Sequence, residues 1–196
     1  MAVVLYMQSA FDRFKREGEI IGRMVIEYGE LEWDLCLLVG HITGDFNVAL
    51  KAMYRSRGET QRIDIADALA RNRLELGRVR TIYEQTIAHM RICLKIRNQY
   101  AHTNWVETAN DGLCFVNIEE IAKANDVADT SSLQRYKLDL QTIEDQQRFF
   151  VQVMQNMQYL CMEVQYLNGS IDVQGFHYES EIRRPMEAKP LRSIVS

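Results

Sequence analysis

Proline is almost missing from this chain: two in 196 residues, Pro185 and Pro190, both close to the end. A backbone without proline before that point has no obligatory helix breaker, which suits long uninterrupted helices and a mainly α fold. Cysteine is sparse as well. Cys36, Cys93, Cys114 and Cys161 lie far apart with no Cys-x-x-Cys and no Cys/His clustering, which excludes a zinc knuckle or a redox pair and leaves buried free thiols of a reducing cytoplasm. No apolar run approaches the length of a membrane span. Residues 1–7 are apolar but lack a basic flank and lead directly into Asp12-Arg13-Phe14-Lys15-Arg16, so they do not read as a signal peptide. A cytoplasmic protein without a membrane partner is expected. A glycine-rich phosphate loop and a Gly-x-Ser-x-Gly elbow are both missing, as are repeats and low-complexity tracts. Neither a metal nor a cofactor is expected.

What is present is apolar periodicity. With 47% apolar residues the chain can bury a full core without a staple, and it divides into a helical domain over residues 1–169 and a C-terminal tail over 170–196. Phe11, Phe14, Ile21, Met24, Val25, Tyr28, Leu31, Leu35, Leu38 and Ile42 recur at three and four, predicting one long helix whose start Gly18 and Gly22 loosen. Gly44-Asp45 supplies a turn and an N-cap for a short second helix. Thr60 is the expected cap of a third, ending at Gly77, and a fourth spans residues 78–102. Residues 105–108, a turn at Asn110-Asp111-Gly112 and residues 113–118 predict a small β-hairpin, with a further short strand at residues 136–140. Thr142 is the expected cap of the last helix, which Asn168-Gly169 ends. The architecture predicted is an up-and-down bundle of four to five helices with a small hairpin insertion before the last. The tail, with scattered charge and both prolines, reads as a linker or as a segment that packs on a partner.

Charge is uneven along this frame. The chain carries a formal −4, yet residues 71–102 hold seven cations against two anions, and 17 of the 23 cations are arginine, the residue suited to bidentate phosphate contacts. Within that stretch lies Arg97-Asn98-Gln99-Tyr100-Ala101-His102. Tyr83, Ile87, Met90, Leu94, Arg97 and Ala101 follow a 4-3-4-3-4 spacing, which puts Arg97 in the stripe that should face the core. A guanidinium there requires a carboxylate inside the fold or an anion in a cleft. Arg91, Lys95, Asn98 and His102 form a second stripe, so Asn98 and His102 are neighbours. Arg97 and His102 diverge by about 140° on an ideal helix. Either the helix end unwinds or two chains, related by a twofold axis, contribute.

The run Arg97-Asn98-x-x-Ala101-His102 near the end of a bundle helix resembles the HEPN (higher eukaryote and prokaryote nucleotide-binding) superfamily, many of whose members are metal-independent ribonucleases. The resemblance covers the helical body, residues 11–167, and its sharp part is six residues. It implies a helical bundle that dimerises to build a composite site, cleavage of single-stranded RNA to a 2′,3′-cyclic phosphate, and Arg97, Asn98 and His102 as catalytic residues. In one toxin subgroup a tyrosine follows the histidine by two positions and is modified by an antitoxin; Asn104 stands there in this chain, against that form of regulation. The chemistry is coherent in its own terms: imidazole shuttles protons near neutral pH, a guanidinium stabilises phosphorane charge, and Arg91 and Lys95 would guide the RNA backbone. The expected partners are a second copy, RNA and an antitoxin protein, in a toxin or phage-defence setting. The competing reading is a non-catalytic helical module binding nucleotide, RNA or a protein. In a third, Arg97 and His102 pair with internal carboxylates such as Glu27 or Asp34. Glu27, Glu30 and Asp34 themselves read as a solvated acidic stripe.

Overall fold

A computed structural model describes residues 9–75, 77–108, 112–123, 134–173, 178 and 181–190. The expected first helix is divided in two. Helix α1 (Ala10–Arg13) is capped by the Ser9 side chain and ends at Phe14, whose φ of −102° and ψ of 57° break the helical run before α2 (Lys15–Thr43) begins. The break has a packing cause at Gly18, the position expected to loosen the helix. A Cβ built there would lie 2.8 Å from the Phe11 ring, so the glycine admits Phe11 against α2, and Phe11 in turn meets Trp105 at a centroid distance of 5.0 Å.

Gly44, at φ +73°, closes α2, and the Asp45 carboxylate accepts from the Val48 N–H at 3.0 Å to start α3 (Phe46–Tyr54), both as the sequence predicts. Helix α4 (Glu59–Ala70) departs from expectation at each end. Its N-cap is Gly58 rather than Thr60, and it stops at Ala70 in a short 3-10 turn, ahead of Gly77. Helix α5 (Arg78–Ala101) follows.

Strands β1 (Asn104–Thr108) and β2 (Gly112–Val116) form the expected antiparallel hairpin, with Trp105 opposite Phe115; the Asn110-Asp111 part of its predicted turn lies outside the described residues. A short helix that the sequence did not announce, α6 (Ile118–Lys123), comes next. Strand β3 (Arg135–Lys137) then pairs antiparallel with β2.

Helix α7 (Leu140–Leu167) is capped three residues earlier than expected. Asp139, not Thr142, is the N-cap: its Oδ1 accepts from the Thr142 N–H at 2.8 Å, and Thr142 is buried in the first turn. The hydrogen bonds from Thr142 hold the Asp139 carboxyl below its ordinary range. A depressed folded value means that this stabilisation is present above the ordinary carboxylate range and is lost as pH falls through it. Asp139→Ala should therefore lower stability by about 1 kcal/mol at neutral pH. Urea titrations at neutral and strongly acidic pH check this; a difference that does not shrink in acid would count against the cap.

The tail is neither a linker nor free of the domain in its described part. Residues 189 and 190 form β4 (Lys189–Pro190), the fourth strand, which pairs with β3 through Tyr136↔Pro190 and Lys137↔Lys189. A strand containing proline is tolerated because β4 is the edge of a sheet ordered β1-β2-β3-β4.

The result is a mainly α, up-and-down helical bundle with a small antiparallel sheet beside it. Helices α2 and α7 run along each other at its centre, α5 packs on both, and α3 and α4 close the remaining side. Met24, Leu35, Leu38, Tyr83, Met90, Val153, Met157 and Leu160 are fully buried between them. Trp33 sits at the margin, 43% exposed, its ring edge-on to Phe46. Cys36, Cys93 and Cys114 are buried outside any disulfide and Cys161 is half-buried, with burial pushing its thiol up to about 12. Among the described residues no helix is long and apolar enough to cross a membrane.

Candidate active site

Helix α5 determines where the six-residue run can point. Its backbone stays helical to the last residue: the His102 N–H donates to the Asn98 carbonyl at 3.1 Å, making His102 the C-cap. The end does not unwind, so Asn98 and His102 remain neighbours along one edge of the helix, as their spacing requires. Both line a cleft of about 510 Å³. Its walls are the α5 edge carrying Lys95, Asn98 and His102, the sheet with Phe115 and Tyr136, Gln146 on α7, and residues 184–188 of the C-terminal segment.

Arg97 occupies the core-facing slot and takes the consequence that was expected of it. Tyr83, Ile87, Met90 and Leu94 on the same stripe are buried, and the Arg97 side chain retains 23% of its exposure. Its Nη1 donates to Glu59 Oε1 at 3.1 Å and to Asn98 Oδ1 at 2.8 Å. The guanidinium carbon lies 6.0 Å from the centroid of the Tyr28 ring. The carboxylate is thus Glu59 of α4, and neither Glu27 nor Asp34 of α2. Because α4 starts directly after Gly58, its first residue, Glu59, falls within reach of α5. Arg97 does not line the cleft. It connects to it only through Asn98, whose amide oxygen takes the guanidinium.

Behind Arg97 the charges alternate. Arg62 Nη1 meets Glu32 Oε2 at 2.6 Å, and Glu32 is almost wholly buried, which raises its carboxyl above the ordinary range against the opposing pull of the Arg62 hydrogen bond and charge. Tyr28 is also buried and its phenol pushed up, first by desolvation and then by Glu32 and Glu59. Three atoms of this network, Tyr28 Oη, Glu32 Oε1 and Arg97 Nε, are buried without a hydrogen-bond partner. The acidic stripe of α2 is less solvated than its spacing suggested: Glu27 and Asp34 are half-buried and desolvation raises both carboxyls.

The two cations expected to guide a backbone are divided: Lys95 lines the cleft and Arg91 does not. Arg91 Nη1 is 2.8 Å from Asp64 Oδ1, and Lys95 Nζ is 3.9 Å from Glu187 Oε1. These pairs are exposed, and exposed pairs contribute little, so either cation can exchange its partner for a phosphate.

Several cleft residues were not legible beforehand. Gln146 accepts a hydrogen bond from Tyr100 Oη and donates through Nε2 to the Met186 carbonyl at 2.7 Å. The Met186 N–H donates to Asp145 Oδ2 at 2.9 Å, and Arg184 pairs with Glu187 at 2.8 Å. Together with β4 these contacts tie residues 184–190 across the mouth of the cleft. The only advance signal was a pair of prolines bracketing a charged stretch. His41 and His89 stand apart from the cleft, His89 half-buried with its ring edge-on to Phe149 and its imidazole lowered by desolvation. His177 lies outside the described residues.

Fold and cleft together define a class: a mainly α bundle in which the C-terminal end of one core helix is roofed by a small sheet and a returning strap. No family model matches the chain, and neither the curated proteins nor the solved structures hold a match to it.

Proposed function

We propose that the protein is a HEPN-type, metal-independent endoribonuclease that cuts single-stranded RNA to leave a 2′,3′-cyclic phosphate. The observation that carries the reading is the 2.8 Å hydrogen bond from Arg97 to Asn98. It joins a guanidinium to an amide at the open end of one helix, and that amide shares a cleft wall with the exposed imidazole of His102. In the proposed step His102 takes the proton of a ribose 2′-hydroxyl. The 2′-oxygen then forms a bond to phosphorus, the bond to the 5′-oxygen breaks, and the imidazolium returns its proton to that leaving oxygen. A guanidinium facing the equatorial oxygens stabilises the charge that develops there.

Arg97 and His102 of one chain face different sides of α5, so the reading includes a homodimer in which the helix ends of two copies complete one site. The setting that goes with it is a toxin or phage-defence system of the cytoplasm, with an antitoxin protein as a further partner.

The grip of Glu59 on Arg97 favours a second reading, in which Arg97 is structural and the cleft binds RNA, nucleotide or a protein without cutting. Incubating the purified protein with labelled single-stranded RNA in EDTA separates the two. Cleavage with cyclic phosphate ends, lost in His102→Ala, supports the enzyme. Retained RNA with no new ends, or cleavage that His102→Ala leaves unchanged, removes it.

A further inference from the structure

Glu187 is the one acidic side chain among the described residues that line the cleft. It sits between two cations of different origin, Lys95 Nζ of α5 at 3.9 Å and Arg184 Nη2 of the strap at 2.8 Å. A lysine and an arginine converging on one oxyanion is the arrangement that also holds a phosphate oxygen. We propose that Lys95 and Arg184 form a phosphate subsite of the cleft, filled in the free chain by the Glu187 carboxylate, which a phosphate of single-stranded RNA displaces. The proposal rests on the RNA reading above and deepens it.

Three observations support it. The side chains of Lys95, Arg184 and Glu187 retain 70%, 68% and 64% of their exposure, so the internal pairs are screened by water and weak, and displacing Glu187 is cheap. The strap does not depend on Glu187 for its place. Gln146 holds the Met186 carbonyl, Asp145 holds the Met186 N–H and β4 pairs with β3, so Glu187 can rotate out while Arg184 stays near. Finally, Lys95 shares the stripe of Asn98 and His102 and lies seven residues before His102, about 10 Å along the helix. A phosphate there flanks the one at His102 rather than being the one cut. The carboxylate thus occupies a place on the path of the strand, and its removal frees two cations at once.

The test measures binding separately from cleavage. A labelled 2′-O-methyl oligoribonucleotide, which lacks the attacking hydroxyl, is titrated by fluorescence anisotropy against the full chain. Glu187→Gln should tighten binding by about threefold or more. Glu19→Gln, which neutralises an equally exposed carboxylate paired with Arg23 on α2, controls for net charge and should tighten it less. The gain should vanish in the double variants Lys95→Ala/Glu187→Gln and Arg184→Ala/Glu187→Gln. Three outcomes overturn the subsite: Glu187→Gln tightening no more than Glu19→Gln, the gain surviving in both double variants, or no binding by either wild type or Glu187→Gln. Tightening by Glu187→Gln in a protein that never cuts RNA supports the subsite and sinks the ribonuclease. His102-dependent cutting with unchanged Glu187→Gln binding does the reverse.

Discussion

His102→Ala is expected to lower the rate of RNA cleavage in EDTA by about 10²- to 10⁴-fold, the contribution of a positioned proton-transfer group, with little change in thermal stability. The second half of that statement comes from its position. His102 is exposed and its structural role is carried by its backbone N–H, bonded to Asn98, which alanine preserves. Arg97→Ala should be equally inactive but less stable, because it leaves Glu59 without its 3.1 Å partner and Asn98 without a donor. The two inactive variants then report on the composite site. If one chain supplies the guanidinium and the other the imidazole, mixing them after reversible dissociation should restore about a quarter of wild-type activity, since half of the dimers are mixed and each keeps one of the two cross-chain arginine–histidine pairs of the shared site. No recovery in a mixture shown to exchange subunits would mean that both groups act from one chain. Such a site would also require Arg97 to leave Glu59 and swing round the end of α5.

The long helices were legible because each carries one continuous apolar stripe, and a stripe is a local pattern. Their ends were not, because tertiary contacts decided them. Nothing in the order of Phe11 to Gly18 says that the Phe11 ring will press on Gly18 and turn the chain at Phe14. Thr142 and Asp139 are both capable caps, and the choice fell to the residue that Leu138 and the pairing of β3 leave just outside the helix. Helix α6 is six residues long and β4 is two, too short for any period to register. In the site, the burial of Arg97 and the adjacency of Asn98 and His102 follow from helical spacing alone. The identity of the carboxylate does not: Glu59 lies 38 residues earlier and reaches Arg97 only through the packing of α4 on α5. The strap is the larger omission. Its prolines and scattered charge read as a linker, yet an edge strand tolerates a proline whose missing N–H faces away from the sheet, and Pro190 stands opposite Tyr136 of β3.

Phe115→Ala should be among the most destabilising single changes outside the helical core, costing about 3–5 kcal/mol and on the order of 10 °C in Tm for a chain of this size. Phe115 is fully buried on β2 and joins the sheet to the bundle. Its ring stacks on Tyr136 of β3 at 5.2 Å and 13°, meets Trp105 of β1 at 5.7 Å, and stands edge-on to Tyr100 of α5 at 6.3 Å. Truncation removes all three aromatic contacts at once and leaves a void under the cleft, since Phe115 is also part of its lining. The loss should reach function by a defined route. Tyr100 holds Gln146, and Gln146 holds the strap at Met186, so a sheet that no longer seats on Tyr100 loosens the wall carrying Arg184. Calorimetric melting of Phe115→Ala beside Phe115→Leu checks the first part, because leucine fills most of the volume without the ring contacts and should recover more than half of the loss. Hydrogen exchange at residues 184–190 checks the second. Protection there that is unchanged in Phe115→Ala would show that the strap is anchored independently of the aromatic cluster, through Asp145 and β4 alone.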